Sequence, residues 1–150
     1  MAEMKITSSA FQHGEVIPSK YTADGADVNP PLTISGVPEG AKSLVLIMDD
    51  PDAPVGVWDH WIVFNIAPET TDIAENSIPA GATLGKNSWG RTDYGGPAPP
   101  SGVHRYFFKL YALDTTLSLP AGATKSQVES AMKGHILAEA QLMGKYTRRR

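Results

Sequence analysis

The sequence contains no cysteine, so disulfide bridges, thiolate metal sites and cysteine nucleophiles are all excluded. It also lacks a long apolar run, because the longest, at residues 44–48, is far too short to span a bilayer. Residues 1–11 hold no apolar stretch of signal-peptide length, which favours a cytoplasmic protein. The net charge is −3 and no basic face with interleaved aromatic residues is present, so nucleic-acid binding is not expected.

The length of the chain and its content of glycine and proline predict one domain that is built from short elements. The 150 residues suffice for a single conventional core, and no repeat or linker divides them, so we predict one domain over 1–150. The 14 glycines and 12 prolines favour many turns over a helix bundle. We expect the terminal Arg148, Arg149 and Arg150 to form a disordered, solvated tail.

The strand pattern predicts an antiparallel β architecture. Residues 43–49 are nearly all apolar and bounded by turn residues, which is typical of a strand buried on both faces. The alternation in the next predicted strand, 58–66, assigns Trp58, His60, Ile62, Phe64 and Ile66 to one face and Asp59, Trp61, Val63 and Asn65 to the other. Residues 105–113 are the last clear strand, and shorter extended pieces are predicted at 5–7, 16–17 and 32–35.

The period of the apolar pattern changes after Pro120. Thr124 and Gln127 have the spacing of a helical capping box. Apolar residues then recur at helical spacing from 128 to 143, with Gly134 as an interruption and Gly144 as the stop. We therefore predict helical structure near the C-terminus, and the absence of strand–helix alternation argues against a parallel sheet.

Two polar segments lie around the predicted turn that joins the strands 43–49 and 58–66. Asp50 follows the buried strand, and the prolines after it stiffen the backbone and remove two N–H donors, which would hold the Asp50 carboxylate in place. The alternative is an ordinary acidic turn. His60 shares its predicted face with apolar residues, and the alternative for it is a histidine that is satisfied within the core.

A glycine- and proline-rich loop, residues 95–100, precedes the last strand. Adjacent glycines can expose backbone N–H groups to an anion, and the prolines would lock the loop, although a stiff loop without a ligand is the open alternative. His104 and Tyr106, at the start of the strand that follows the loop, are predicted to lie on the same face of that strand. Arg105 points to the other face, so we interpret it as a structural partner of Asp50 or Asp52.

Together these segments carry a resemblance to a known family. The DPDAP motif at 50–54, the His-Trp pair at 60–61 and the GGPxPPxGxHRY motif at 95–106 resemble the phosphatidylethanolamine-binding protein family, also called Raf kinase inhibitor-like proteins. Residues 6–11 and 136–144 are similar to its compact bacterial and archaeal branch. The resemblance covers essentially the whole chain.

The resemblance implies a fold and a site. The fold is a sandwich of two antiparallel sheets with a few short helices, and the site is a cavity for phosphate or phosphorylated headgroups. Carried over by motif, the ligand-binding residues are Asp50, Pro54, Trp58, His60, Gly96, Pro100, His104 and Tyr106, with Asp52 and Arg105 as structural support. No catalytic residue, metal or cofactor is implied. The branch also suggests a homodimer.

A carboxylate beside a bound anion requires an explanation. Asp50 could accept a hydrogen bond from one histidine and so favour the imidazolium or the tautomer that donates to the anion. Binding should then be weak, in the micromolar to millimolar range, and stronger below about pH 6.5.

Two other classes of function remain open. A metal-dependent or histidine-based hydrolase could use Asp50, Asp52, His60 and His104, although no H-E-x-x-H or G-x-S-x-G motif is present. A module that binds a kinase or protease partner overlaps with anion binding, because one pocket could receive a phosphorylated side chain. Kinase inhibition itself is not carried over, since the chain stops soon after Gly144 and the longer eukaryotic members add a helix there.

Overall fold

A computed structural model describes residues 3–147 of the chain, and the predicted tail at 148–150 lies outside them. The elements in chain order are β1 (Lys5–Thr7), β2 (Leu32–Ser35), β3 (Ser43–Asp50), β4 (Trp58–Ile66), β5 (Asp72–Ile73), β6 (Thr83–Leu84), β7 (His104–Leu113), α1 (Lys125–Met132) and β8 (Ile136–Tyr146), with a 3₁₀ turn at Ser19–Tyr21. Within residues 3–147, no helix is long and apolar enough to cross a membrane.

The strands form two antiparallel sheets, which confirms the mainly β prediction. One sheet has three strands in the order β1-β2-β5, and the other has five in the order β6-β4-β3-β7-β8. All eight residues of β3 are buried, because this central strand contacts the core on both sides. Leu46 and Met48 belong to the larger core cluster, between the sheets, whereas Val45 and Ile47 pack with Val128 of α1.

Helix α1 begins at the predicted capping box. The Thr124 hydroxyl accepts from the Gln127 backbone N–H at 3.2 Å, and the Gln127 side chain accepts from the Thr124 N–H at 2.9 Å. These bonds satisfy backbone donors that have no partner inside the helix. The helix covers the outer face of the five-stranded sheet through Val128 and Met132.

The prediction of helical structure from 136 to 143 is wrong. After α1 the chain turns at Gly134, whose φ is +84°, and then forms the eleven-residue strand β8. β8 pairs with β7 along its length, from His104–Tyr146 to Leu113–Ile136. Apolar residues at Ile136, Ala140 and Met143 fit a helix by spacing, but the long-range pairing with β7 determines the outcome.

Candidate functional site

The three polar segments of the sequence meet at one end of the five-stranded sheet. Because the sheet is antiparallel, the end of β3 lies beside the starts of β4 and β7, with Asp50 opposite Trp58 and the neighbouring Asp49 opposite Phe107. A cavity of about 300 Å³ opens there. It is lined by Asp50, Ala53, Pro54, Val55, Trp58, His60, Trp89, Ala98, Pro99, Pro100, His104 and Tyr106. Every residue predicted to bind ligand, except Gly96, lines this pocket.

A β-bulge directs His60 into the pocket. Trp61 pairs with Met48 and Asp59 pairs with Asp49, so His60 is an extra residue between them and the register shifts by one. The predicted alternation, which put His60 on one face with Ile62, is therefore wrong. Ile62 packs on the α1 side of the sheet, whereas the His60 ring contacts Tyr106 in the core between the sheets.

Asp50 and His104 form a buried pair in the pocket. Both residues are buried, and His104 Nδ1 lies 2.7 Å from Asp50 Oδ2. An ionised carboxylate can only accept, so His104 Nδ1–H is the donor and its Nε2 is left for other contacts. The second oxygen of Asp50 accepts the Asp52 backbone N–H at 2.8 Å. The carboxylate therefore has fixed partners on both of its oxygens, and it fixes the orientation of His104.

His60 is held as a neutral ring by its surroundings. It is 2 % exposed, and its Nδ1 lies 2.7 Å from the Gly95 carbonyl oxygen, which can only accept. Burial lowers the pKa of His60 below its ordinary value, partly opposed by the hydrogen bond to Gly95. At neutral pH the ring is therefore uncharged, with the proton on Nδ1 and a lone pair on Nε2. His60 consequently offers an acceptor rather than a positive charge.

Tyr106 lies between the two histidines. Its ring centroid is 5.2 Å from that of His60, edge to face, and 6.4 Å from that of His104, in a stacked arrangement. Tyr106 is fully buried, so its ring keeps both imidazoles at the pocket wall. The two histidines thus come together on one aromatic ring, as the shared strand face of His104 and Tyr106 predicts.

Asp52 and Arg105 hold the turn after β3 against the start of β7. The Asp52 carboxylate accepts from the Arg105 backbone N–H and from its Nε and Nη2, each at 2.9 Å. Mainly because of the side-chain hydrogen bonds from Arg105, the pKa of Asp52 falls to about 2. The sequence indicated Asp50 or Asp52 as the partner of Arg105. The structure shows that Arg105 binds Asp52, outside the pocket.

The prediction that Gly96 lines the site is not matched by its position. Its N–H donates to the Asp27 carboxylate at 2.7 Å, and a Cβ at Gly96 would meet Asp27 and the backbone of Tyr21 and Thr22. The Gly95 N–H donates to the His60 carbonyl at 3.0 Å. Both glycine N–H groups thus serve the packing of the loop, which leaves no anion nest at these two positions.

Trp89 is a pocket residue that the sequence pattern did not reveal. Its ring contacts the rings of Trp58 and His60 edge to face, with centroids 5.6 and 5.0 Å apart. The Asn87 side-chain oxygen accepts a hydrogen bond from the Trp89 backbone N–H at 3.0 Å and so fixes the turn that carries Trp89. The sequence does show a tryptophan two residues after an asparagine that can fix a turn. Trp89 lies in a loop segment without strand or helix periodicity, so this feature did not indicate where its side chain points.

Potential metal ligands do not cluster in the described part of the chain. Among residues 3–147, no group of three or more histidine, aspartate or glutamate side chains has an arrangement that could hold a metal ion. At the pocket, the Asp50 oxygens and one nitrogen of each histidine already have protein partners.

The fold and the pocket define a class of protein: an antiparallel β-sandwich with a small pocket of mixed polarity at the end of its larger sheet. The sequence model of the phosphatidylethanolamine-binding protein family matches residues 7–147. The chain belongs to this family, and the resemblance predicted from its motifs is confirmed.

Individual relatives support the family assignment over the whole chain. A UPF0098 protein of Methanothermobacter thermautotrophicus is 53% identical, with 97% of this chain and 99% of the relative covered. The crystal structure of a phosphatidylethanolamine-binding protein homolog from Chlamydia trachomatis has a TM-score of 0.96 at 46% identity, covering 99% of this chain and all of that one. E. coli YBCL, described as a new member of the mammalian family, has a TM-score of 0.91 at 32% identity, with 99% and 100% covered.

Proposed function

We propose that the pocket binds a small singly protonated anion, a phosphate or the phosphate of a phosphorylated headgroup, without catalysis. The observation that carries this proposal is the buried Asp50–His104 pair, which lies in a pocket that no lysine or arginine among residues 3–147 lines. In this proposal the positive charge for an anion comes from His104, which carries both ring protons when the anion is bound, with Nδ1–H directed at Asp50. Its Nε2–H donates to a phosphate oxygen.

His60 and His104 have opposite hydrogen-bonding roles in this proposal. Neutral His60, with Nδ1–H committed to Gly95, presents a lone pair on Nε2 and accepts a proton-bearing P–OH. His104 donates to a P–O⁻ oxygen. A phosphate that carries at least one proton offers both groups at once, whereas sulfate at neutral pH has no proton to donate.

The cavity has room for more than the anion. Its walls beyond the polar end are apolar and aromatic, formed by the two tryptophans and by the alanine, valine and proline side chains of both loops. A phosphate ester can place its substituent against this wall, which favours a phosphorylated headgroup over inorganic phosphate. Two or three charge-assisted bonds at roughly 1.5–3 kcal/mol each leave modest affinity after the cost of association.

Calorimetric titration with inorganic phosphate, a short alkyl phosphate and sulfate tests this proposal. We expect the alkyl phosphate to bind most tightly and sulfate least. His104→Ala and His60→Ala should each abolish measurable binding. His135→Ala is the matched control, because His135 also pairs with an aspartate, Asp114, at 2.8 Å, but on an exposed surface. Equal affinity for sulfate and phosphate would contradict the role of His60, and unchanged binding by His104→Ala would refute the site.

Two broader roles belong to the same proposal. The protein could regulate a kinase or protease that presents a phosphorylated group, and capture of such a partner should then be lost with His104→Ala and retained with His135→Ala. We also propose a cytoplasmic location, which the cysteine-free sequence favours. The hydrolase alternative has no observation of the described residues in its favour.

A further inference from the structure

A second cavity opens at the side of the sandwich where β5 and β6 are the edge strands of their sheets. We call it the side cavity, and its volume of about 340 Å³ lies in the range of small-molecule sites. Its walls combine two aromatic rings, aliphatic side chains and two carboxylates, among them Trp61, Tyr94, Leu84, Asp27 and Asp93. It shares no lining residue with the pocket at the ends of β3 and β7, so the two cavities are separate.

The side cavity carries negative charge and unused hydrogen-bond acceptors. Among residues 3–147, no lysine, arginine or histidine lines it, whereas Asp27 and Asp93 do. Asp27 Oδ1 accepts the Gly96 N–H at 2.7 Å. Asp93 Oδ1 lies 3.2 Å from Arg91 Nε, but both side chains are more than half exposed, so this pair is weak. The Oδ2 atoms of both carboxylates have no hydrogen-bond partner in the described part of the chain and can accept from a cation.

Asn29 fixes one wall of the side cavity before any ligand arrives. This residue is 5% exposed, and its Nδ2 donates to the Ala74 carbonyl at 3.0 Å. Its Oδ1 accepts the Ser77 N–H at 2.9 Å. These bonds join residues 27–29 to the segment that follows β5. A ligand therefore does not have to order this wall, which lowers the entropic cost of binding.

Trp61 and Tyr94 give the side cavity an aromatic wall. Their rings meet edge to face with centroids 5.5 Å apart, and the Tyr94 hydroxyl donates to the Tyr21 carbonyl at 2.8 Å. Aromatic faces attract cations. A planar guanidinium stacks on such rings and also presents several N–H donors to carboxylates, whereas an ammonium is a compact, strongly hydrated charge. The combination of aromatic rings and carboxylates therefore favours a guanidinium.

We propose that the side cavity binds a guanidinium group on a short alkyl chain. The carboxylates of Asp27 and Asp93 supply the counter-charge, and the aliphatic wall around Val28 and Leu84 receives the alkyl chain. Because the Asp93 side chain is 57% exposed, solvent screens part of the attraction. The dissociation constant should then be on the order of 1 mM. This site goes beyond the proposed binding of phosphate and does not depend on it.

An NMR titration of the ¹⁵N-labelled chain with n-butylguanidinium tests the chemistry of the ligand. The ligand should shift the Trp61 indole signal and the amide signals of residues 27–29 and 76–78, and the shifts should saturate. N-butylurea is the matched control, because it has a similar shape without the charge, and it should bind at least about tenfold more weakly. No saturable shift at these residues, or equal binding of n-butylurea or n-butylammonium, would overturn the proposal.

The same titration with N-acetyl-arginine amide identifies the source of the guanidinium. Tighter binding than n-butylguanidinium would support an arginine side chain of a peptide, and weaker binding would support a free small molecule.

Two variants test the assigned residues. Asp27→Asn removes a charge but keeps an oxygen for the Gly96 N–H, and asparagine tolerates the φ of +59° at this position, so the variant should fold. Asp27→Asn and Asp93→Asn should each weaken n-butylguanidinium binding about fivefold. Asp114→Asn is the matched control, because it removes the same charge from an exposed pair outside the side cavity, and it should bind as wild type does. Unchanged affinity in both Asp27→Asn and Asp93→Asn would overturn the proposal.

Discussion

Asp49 and Asp50 are consecutive residues at the end of β3, yet their carboxylates bind partners on opposite faces of the sheet. Asp50 pairs with His104 at 2.7 Å in the pocket. Asp49 pairs with Lys109 and Lys125, each at 3.1 Å, on the face that α1 covers. This follows from strand alternation, and it gives the two aspartates separate roles: one orients the pocket histidine, and the other fixes the helix to the sheet.

The Asp49 cluster should contribute to stability independently of the pocket. Asp49 is 1 % exposed, and Lys125 also contacts Asp59 at 3.2 Å. Asp49→Asn leaves both lysines without their buried counter-ion, so we expect a loss of about 2–3 kcal/mol in the free energy of unfolding, measured by urea denaturation. Asp114→Asn, which breaks an exposed pair, should lose less than about 1 kcal/mol. Equal losses in the two variants would contradict this role.

Much of the larger sheet could be predicted from the sequence because its strands are defined by local patterns. The continuous apolar run of β3 and the alternation of β4 gave bounds within a residue of those observed. The start of α1 was predictable because the Thr124–Gln127 capping box is a short-range signal. Motifs around Asp50, His60 and His104 likewise indicated which residues line the pocket.

The failures share a physical cause, which is that long-range packing overrides local pattern. β8 is a strand because it pairs with β7, more than twenty residues away for every pair. The side of the sheet that His60 faces depends on one extra residue in β4, and nothing in the local sequence marks that bulge. Gly96 was expected to bind an anion, but its N–H bonds to Asp27, sixty-nine residues earlier in the chain.

His60 should make stability depend on pH in a defined window. Burial holds its folded pKa below the ordinary 6.5, so as the pH falls below 6.5 the unfolded chain gains a proton that the folded protein refuses. The part of the free energy of unfolding that depends on His60 is therefore fully present above pH 6.5 and is lost as the pH falls toward the folded pKa. In phosphate-free buffer, the free energy of unfolding of His60→Gln should vary less between pH 7.5 and pH 5 than that of wild type or of His135→Gln. Identical slopes for wild type and His60→Gln would rule this out.

Asp52 should titrate in strong acid because of Arg105. Its pKa is lowered from 3.8 to about 2, so its contribution to stability is present above pH 3.8 and is lost as the pH falls through about 2. Because the Arg105 side chain is half exposed, we expect a contribution of less than about 1 kcal/mol. In a carbon-detected NMR titration, Arg105→Gln should raise the Asp52 midpoint toward its ordinary value, whereas Arg91→Gln, which breaks a separate exposed pair, should not. No change in Arg105→Gln would show that the ion pair is absent in solution.

Gly95 should not tolerate a side chain, because Trp89 occupies the space beside it. A Cβ at Gly95 would overlap the six-membered ring of Trp89, and the Gly95 backbone also bonds to His60 through both its N–H and its carbonyl. Gly95→Ala must displace either the tryptophan or the loop, so we expect a loss of about 1–3 kcal/mol in the free energy of unfolding and weaker phosphate binding.

Gly40→Ala is the matched control for Gly95→Ala, since its Cβ would lie 3.7 Å from Leu137 Cδ1, an ordinary contact. Its stability should remain within about 0.5 kcal/mol of wild type. Calorimetric phosphate titration and urea denaturation of both variants separate the two effects. If Gly95→Ala bound phosphate as tightly as Gly40→Ala, the contacts of Trp89 and Gly95 with His60 would not be needed to position His60 in the pocket.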